Sequence, residues 1–477
     1  MNTLVWFRND LRLHDHAPLT SAVQQGKVVL PVYCFDPRHW QKTSFGFPKT
    51  ADFRTQFLTE SVMNLRENLR SRGSDLLIRL GEPELIIPEL VKAWQIEAVF
   101  YHQEVTTEEK AVARSLQKTL KDLGCHCQSF WGHTLYDPQD LPFAIANLPE
   151  VFTNFRKQSE KHSAPADPLP TPRALPPIPE VIERGICPEY PSAVSRFMGG
   201  ETAGKARVKE YFWERDYLRV YKETRNGMLV FDDSSKFSPW LAHGCLSPRW
   251  ICTEVKQYES ERVANDSTYW LIFELLWRDY FRFIAAKHGD RLFCPSGLRG
   301  LLVPWQEDWE RFELWRTGHT GFPLVDANMR ELAATGYMSN RGRQNVASFL
   351  TKNLGISWLM GAEWFESLLI DYDVCSNYGN WNYTAGVGND ARGFRFFNIL
   401  KQSQDYDPKG DYVRHWLPEL ADVPASKIHR PWELLPVEQK RFGVNLGVDY
   451  PLPVVDLFRS AKHNEALYDA APLLCQR

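Results

Sequence analysis

Val28-Val-Leu-Pro-Val-Tyr-Cys-Phe35 is an unbroken apolar run with no helical period. Such a run fits a strand buried on both faces of a parallel sheet. Leu4 to Phe7, Leu76 to Leu80 and Ala98 to Tyr101 repeat the pattern, and Cys125 to Trp131 adds a candidate fifth strand. Helical stretches lie between them, at Phe53 to Arg72, Glu84 to Trp94 and Thr107 to Leu123. This alternation predicts a doubly wound parallel sheet of Rossmann-like type, whose ligands sit beyond the carboxyl ends of the strands.

The pattern changes downstream. Nine prolines fall between Pro165 and Pro191, which excludes regular helix there and predicts a semi-rigid tether. From about Ala203 onward the pattern is helical, with clear helices over Tyr269 to Ala286, Met329 to Thr335, Asn345 to Leu354 and Ala362 to Leu369. The expected organisation is an α/β domain over 1–132, a Pro-rich linker over 133–200 and a large helical domain over 201–477.

Bulk properties narrow the function. With 56 Lys and Arg against 59 Asp and Glu, the net charge is −3. No global basic field advertises nucleic acid, so any DNA contact must come from a local patch. The nine cysteines are scattered, which predicts a reducing compartment. Cys125-His126-Cys127 has the spacing of no common zinc site, so no metal is expected. No run resembles a transmembrane helix or a signal core. A soluble cytoplasmic protein of a prokaryote-like cell, without a transit peptide, is expected.

Four stretches carry chemistry. Asp371-Tyr-Asp373-Val-Cys-Ser-Asn377-Tyr-Gly-Asn-Trp381-Asn-Tyr383 and Asn340-Arg341-Gly-Arg343-Gln344 offer donors and acceptors to a flat, polar, redox-active ring, with indoles nearby to supply electrons. Ser234-Ser235-Lys-Phe237-Ser238-Pro239 reads as a helix start, with Ser238 as cap and Pro239 at the first helical position. Backbone N–H groups at such an end bind phosphate, though serine caps are also common without a ligand. Trp270, Glu274, Trp277 and Arg278 share one helical face. They form either an amphipathic stripe with a Glu–Arg surface pair or a cavity wall that stacks and hydrogen-bonds something planar.

Together with the opening Trp6-Phe-Arg-Asn-Asp-Leu-Arg12-Leu-His-Asp15, these motifs resemble the photolyase/cryptochrome family in order and spacing over nearly the whole chain. The resemblance implies FAD, held bent in the helical domain. Tyr221, Ser234, Ser235, Phe237 and Ser238 match positions that hold its phosphates. Trp270, Glu274 and Arg278 match residues near adenine and flavin. Arg343 and Asp371 match a pair packed on the isoalloxazine, Asp373 a carboxylate at its polar edge, and Asn377 the residue opposite N5. An amide there both donates and accepts. Trp381, Trp358 and Trp305 match the family's electron-transfer chain.

Site residues also divide the family. Enzymes for the 6–4 photoproduct use a histidine pair, yet no histidine occurs between His319 and His415. Glu274, Trp277, Asn340 and Arg341 resemble cyclobutane-dimer photolyases. Gln344 and Tyr383 stand where those enzymes usually carry Met and Trp. These two, with Tyr221-Lys-Glu-Thr-Arg-Asn-Gly-Met228, resemble the DASH cryptochromes. The resemblance implies a deoxyribodipyrimidine photolyase, a carbon–carbon lyase driven by blue light through excited reduced FAD. Glu274 would hydrogen-bond the dimer, Trp277 would pack on its bases, and Asn340 and Arg341 would hold lesion and backbone. Arg392, Arg395 and Lys401 are candidates for phosphate contact.

Stacking contributes roughly 1–3 kcal/mol per base. Extracting a damaged pair costs on the order of a few kcal/mol, photolyases being enzymes for which extraction is already established. The Gln344 and Tyr383 replacements weaken the pocket, so preference for single-stranded or looped UV-damaged DNA is expected. Glu104, at the carboxyl end of the Ala98–Tyr101 strand, resembles a carboxylate that binds 5,10-methenyltetrahydrofolate as antenna, with deazaflavin as the alternative. The helical domain lacks the four-cysteine set of the iron–sulfur branch. A monomer is expected. The alternative reading is a blue-light photoreceptor with a signalling role. The short stretch after Phe458 favours the enzyme. An electron-transfer-flavoprotein-like nucleotide module would explain only the first third of the chain.

Overall fold

The computed structural model describes residues 1–474 apart from 190–192, 194 and 391. Five strands form one parallel sheet: β1 (Asn2–Phe7), β2 (Val28–Phe35), β3 (Leu77–Leu80), β4 (Ala98–His102) and β5 (His126–Phe130), in the order β3-β2-β1-β4-β5. Leu4 lies opposite Leu30 on one side and Val99 on the other. Both neighbours are buried, as the apolar run requires. All five expected strands form, each within two residues of its expected limits. The edge strand β5, His-Cys-Gln-Ser-Phe, is only partly buried and correspondingly polar.

Three helices form where expected: α2 (Asp52–Arg70), α3 (Pro83–Trp94) and α4 (Thr107–Asp122). One element was not read from the sequence, α1 (Ala17–Gln25). Its cap is His16, whose Nδ1 accepts from Leu19 N at 3.1 Å. The chain leaves β1 toward β2 and β3, then returns to β4 on the opposite side. The carboxyl ends of β1 and β4 therefore mark the switch point, where ligands of such sheets bind.

The Pro-rich stretch is no loose tether. Its described residues form no helix or strand, but Ile178 and Ile182 enter the α/β core. Ile78 N donates to Arg184 O at 2.8 Å, and Arg66 Nη1 to Gly185 O at 3.2 Å. The segment thus covers the open edge of β3, whose backbone groups would otherwise lack partners. Residues 190–192 and 194 of the expected linker lie outside the described residues.

Two compact units make up the chain. One comprises Met1–Lys222, Ser235–Asp290 and Ile370–Ser376, the other Glu223–Ser234, Arg291–Leu369 and Asn377–Arg477. The first unit holds the sheet and the long helix Asp266–His288. That helix starts under a capping box: Asn265 accepts from Ser267 N and Thr268 N, and Thr268 Oγ1 accepts from Asn265 N, satisfying donors that a helix start leaves unpaired.

The second unit holds helices Trp309–Arg316, Pro323–Thr335, Asn340–Ser348 and Trp358–Leu368. The helix expected over Asn345–Leu354 is corrected. It starts at Asn340, under Ser339 Oγ accepting from Gly342 N at 3.0 Å, and passes at Phe349 into a π-helical turn to Asn353. A Cβ on Gly342 would come 1.9 Å from Asn328 Oδ1, so glycine lets this helix close on Pro323–Thr335.

Candidate functional site

In the first unit, the helix Asp266–His288 buries Leu271, Leu275, Leu276 and Tyr280. Trp270, Glu274, Trp277 and Arg278 form a separate stripe that is only half-buried. That placement fits a wall rather than a core. Trp277 stacks on Phe152 with centroids 3.7 Å apart and 11° between planes. Trp270 stacks on Phe273 at 4.8 Å, and Lys222 Nζ lies 5.0 Å from its ring centroid. Arg278 is pinned by the carbonyls of His133 and Leu241.

One turn further on, Arg282 pairs with the carboxylate of Glu104, and its Nη1 lies 4.0 Å from Asp373 Oδ2. All three side chains are largely buried. Burial alone would raise the pKa of Asp373. Arg278, Arg282 and the Ser376 N–H override it and hold the carboxyl below its usual range. Glu104 Oε1 and Arg282 Nε make no hydrogen bond. Asp371 is buried.

Glu104 opens onto a network that sequence reasoning missed. His133 Nε2 lies 3.5 Å from Glu104 Oε1. Asp10, just beyond β1, lies 2.7 Å from Nδ1 of His102 at the end of β4 and 3.0 Å from Nε2 of His16. Burial would raise the pKa of Asp10, but His16 and His102 hold it well below the carboxylate range. Burial lowers His102 to about 4 and takes His133 well below its ordinary value, so both are neutral. Asp10, His16 and His102 have the grouping of a metal site. Leu19 N donates to His16 Nδ1 and Asp10 shares a hydrogen bond with His102 Nδ1, while the Nε2 atoms of His16 and His102 are buried without one. The only signal in the sequence was position, since Asp10, His102 and Glu104 follow the two switch-point strands.

The segment 234–238 departs from expectation. The short helix runs Ser238–Ala242, and its cap position falls on Phe237, which has φ −75° and ψ −13° and makes no side-chain cap. Ser238 is the first helical residue instead of the cap. Phe237 is buried against Tyr211 and Phe212, with ring centroids 6.1 and 5.9 Å away. That anchor, next to Lys236 in the left-handed region at φ 60°, fixes where the helix begins. Ser235 is buried, and its carbonyl accepts from Arg207 Nε at 3.1 Å. Ser234 is half-buried. Tyr221 is buried.

In the second unit, Asn340 is exposed at the start of its helix. Arg341 Nη1 donates to Gln344 Oε1 at 3.0 Å and Nη2 to Asn226 Oδ1 at 3.2 Å, while its guanidinium lies 4.5 Å from the Tyr406 centroid. Arg343 Nε donates to Met338 O at 2.9 Å, over Tyr337. Arg392 Nη2 donates to Tyr383 Oη at 2.5 Å and pairs with Asp390. Arg395 and Lys401 are exposed. Asn377 is buried, and its Nδ2 donates to Ala362 O at 3.0 Å, which leaves Oδ1 as the end that accepts.

The structure brings the three tryptophans into one neighbourhood of this unit. Trp305 Nε1 and Trp358 Nε1 both donate to Pro295 O. Trp381 closes on Gly361, one helical turn from Trp358. A Cβ at Gly361 would come 2.2 Å from Trp381 Cη2. Trp358 and Trp381 are buried.

Residues 3–174 match the family model described as "DNA photolyase", and residues 270–470 match "FAD binding domain of DNA photolyase". The protein called Cryptochrome DASH in Gloeobacter violaceus is 67% identical, over 98% of this chain and 96% of its own length. The chain belongs to the photolyase/cryptochrome family, in its DASH group. Cryptochrome DASH of Synechocystis sp. is 59% identical over 96% of both chains. The crystal structure of Synechocystis sp. PCC6803 cryptochrome superposes with a TM-score of 0.96 at 57% identity, covering 98% of this chain and 99% of that one. A bacterial class III photolyase from Agrobacterium tumefaciens gives 0.85 at 30% identity, covering 98% and 97%. Among the described residues, no helix is long and apolar enough to cross a membrane.

Membership in this group implies FAD, and the residues present fit it. In the first unit, a charged carboxylate at Asp373, a buried guanidinium with an unused Nε at Arg282 and the half-buried indole wall suit a planar ring with a polar edge.

Proposed function

We propose that this DASH cryptochrome is a light-driven photolyase that splits cyclobutane pyrimidine dimers in single-stranded or looped DNA. One observation carries the strand preference. Gln344 and Tyr383, the two positions that depart from conventional dimer photolyases, are each bonded to an arginine, Arg341 and Arg392. Gln344 Oε1 and Tyr383 Oη each accept from a cation, and the apolar stacking area of Met and Trp is missing. A lesion wall of this kind holds an already unpaired dimer but offsets little of the cost of extraction from a duplex.

In this reading, Tyr221, Ser234, Ser235, Phe237 and Ser238 hold the FAD phosphates. Trp270, Arg278, Arg343, Asp371, Asp373 and Asn377 hold and tune its rings. Reduced FAD, when bound and excited by blue light, supplies the electron that opens the cyclobutane ring and takes it back. Glu274 donates to the dimer carbonyl and offsets its developing charge. Trp277 packs on the bases, Asn340 and Arg341 orient the lesion, and Arg392 and Arg395 contact phosphates. Trp381, Trp358 and Trp305 resupply electrons. Glu104 holds a folate antenna, with 1–132 as the antenna domain, 133–200 as linker and 201–477 as the catalytic domain. The protein acts as a cytoplasmic monomer.

The test is photorepair by purified holoprotein of one thymine-dimer oligonucleotide presented as single strand, as a loop and as duplex. Repair of the first two, with duplex far behind, is expected. Equal rates would end the strand preference, and no repair in any context would leave only a light sensor.

A further inference from the structure

We propose that Trp309 is a second surface exit for the electron hole on Trp381, reached through Trp315, and that it draws an electron from a thiol reductant. The proposal rests on the reading of Trp381 as electron donor to the flavin.

Trp381 has an indole neighbour besides those already named. The rings of Trp315 and Trp381 lie edge to face with centroids 6.4 Å apart. Trp315 is fully buried, and its Nε1 donates to Val346 O at 3.0 Å. Its ring meets Phe312 at 5.5 Å, and Phe312 meets Trp309 at 5.8 Å. Residues 309, 312 and 315 occupy one row of the helix Trp309–Arg316, three residues apart. Packing explains Phe312 and Trp315, which are both buried. Trp309 packs edge to face on Phe312 yet stays 46% exposed at the start of the helix, where its indole meets solvent.

The environment sets a direction. A radical cation on Trp315 sits in a dry interior, where burial disfavours charge. On Trp309 it is hydrated and lies in a stretch carrying Glu307, Asp308, Glu310 and Glu313 against only Arg311 and Arg316. A hole therefore moves outward. Phe312 is a spacer between the two indoles and holds no charge.

The electron count closes with no bond made or broken along the row. Trp381 gives one electron to the light-excited flavin. One electron then passes from Trp315 to Trp381, and one from Trp309 to Trp315. A thiolate gives one electron to Trp309, restoring the indole and becoming a thiyl radical. Two thiyl radicals combine as a disulfide.

The experiment uses flavin-loaded protein under blue light with dithiothreitol, in the wild type and in Trp305→Phe, Trp309→Phe, the double variant and Trp381→Phe. Flavin bleaching is one readout. The second is a nitroso spin trap whose adducts are located by peptide mass spectrometry. Thermal midpoints of all variants are measured alongside, so a loss of folding is told apart from a loss of electron transfer. We expect Trp305→Phe to keep a residual rate, the double variant to lose it, and adducts on the peptide carrying Trp309. A Trp305→Phe rate of zero, equal rates in that variant and the double, or no adduct at Trp309 would overturn the branch. Wild-type bleaching in Trp381→Phe would instead remove the reading of Trp381 as donor.

Discussion

Trp305 and Trp358 donate their indole N–H groups to a single acceptor, the carbonyl oxygen of Pro295, at 3.1 and 3.0 Å. A carbonyl has two lone pairs, so both bonds form at once. This sharing ties a partly exposed indole to a fully buried one and fixes their separation. Trp358→Phe removes one bond, yet Pro295 O keeps Trp305 and no acceptor is stranded. We expect a stability loss of about 0.5–1.5 kcal/mol from the bond by urea denaturation, plus a cavity cost for the smaller ring, with flavin photoreduction slowed and not abolished. A loss no larger than the scatter would mean that the Trp358 bond carries no net weight.

Arg282 joins two carboxylates that do not otherwise touch. It pairs with Glu104 and faces Asp373, with side-chain exposures of 5% for Arg282 and Glu104 and 14% for Asp373. Arg282→Met would strip buried Glu104 of its cation and leave Asp373 to Arg278 and the Ser376 N–H, at a cost of about 3–5 kcal/mol. Adding Glu104→Gln should recover part of that, because the stranded charge is gone. Chemical denaturation of the single and double variants measures both. A double variant no more stable than the single would show that the loss came from packing.

Lys352 sits in a cavity wall with Trp305, Phe394 and Tyr468. Its Nζ donates to Ala385 O at 2.6 Å and lies over the Phe394 and Tyr468 rings. Burial lowers it from 10.5 to about 7, against Asp390, which raises it, and with Arg299, which lowers it further. The unfolded chain therefore binds more protons between those two values, and stability rises with pH across that window. The contribution is complete above the unfolded value and is lost as pH falls through about 7. Lys352→Met should flatten this part of the profile. Denaturation midpoints on both sides of the window check it, and parallel wild-type and variant curves would count against it.

What the sequence made legible follows from range. Val28–Phe35 declares a buried parallel strand because it has no polar face, whereas Ala17–Gln25 hides behind a histidine cap and a short, mixed pattern. The stripe Trp270–Arg278 and the clusters 340–344 and 371–383 were readable because each is local. Glu104 and Arg282 lie 178 residues apart, and no periodicity links them. The same holds for the sharing of Pro295 O and for Asp10 with His102. Ser238 lost its expected cap role to the burial of Phe237, a tertiary preference that outweighs local cap chemistry.

Gln344→Met with Tyr383→Trp should move the protein toward duplex substrates. Methionine cannot accept from Arg341 as Gln344 Oε1 does at 3.0 Å, so that guanidinium keeps Asn226 and gains freedom to meet a phosphate. Tryptophan removes the hydroxyl that receives Arg392, but Asp390 still holds that arginine, so the local fold survives. The new indole and thioether add apolar area to the proposed lesion wall, worth roughly 1–3 kcal/mol for a stacked base. A gain of about 1.4 kcal/mol is tenfold in affinity. The gain should fall on the duplex, where extraction limits binding, more than on the single strand, where the dimer is already exposed. Fluorescence anisotropy with matched single-stranded and duplex dimer oligonucleotides gives the ratio directly. If the double variant tightens both equally, stacking area is not what separates the two substrates, and the arginine pairing of Gln344 and Tyr383 loses its meaning for specificity.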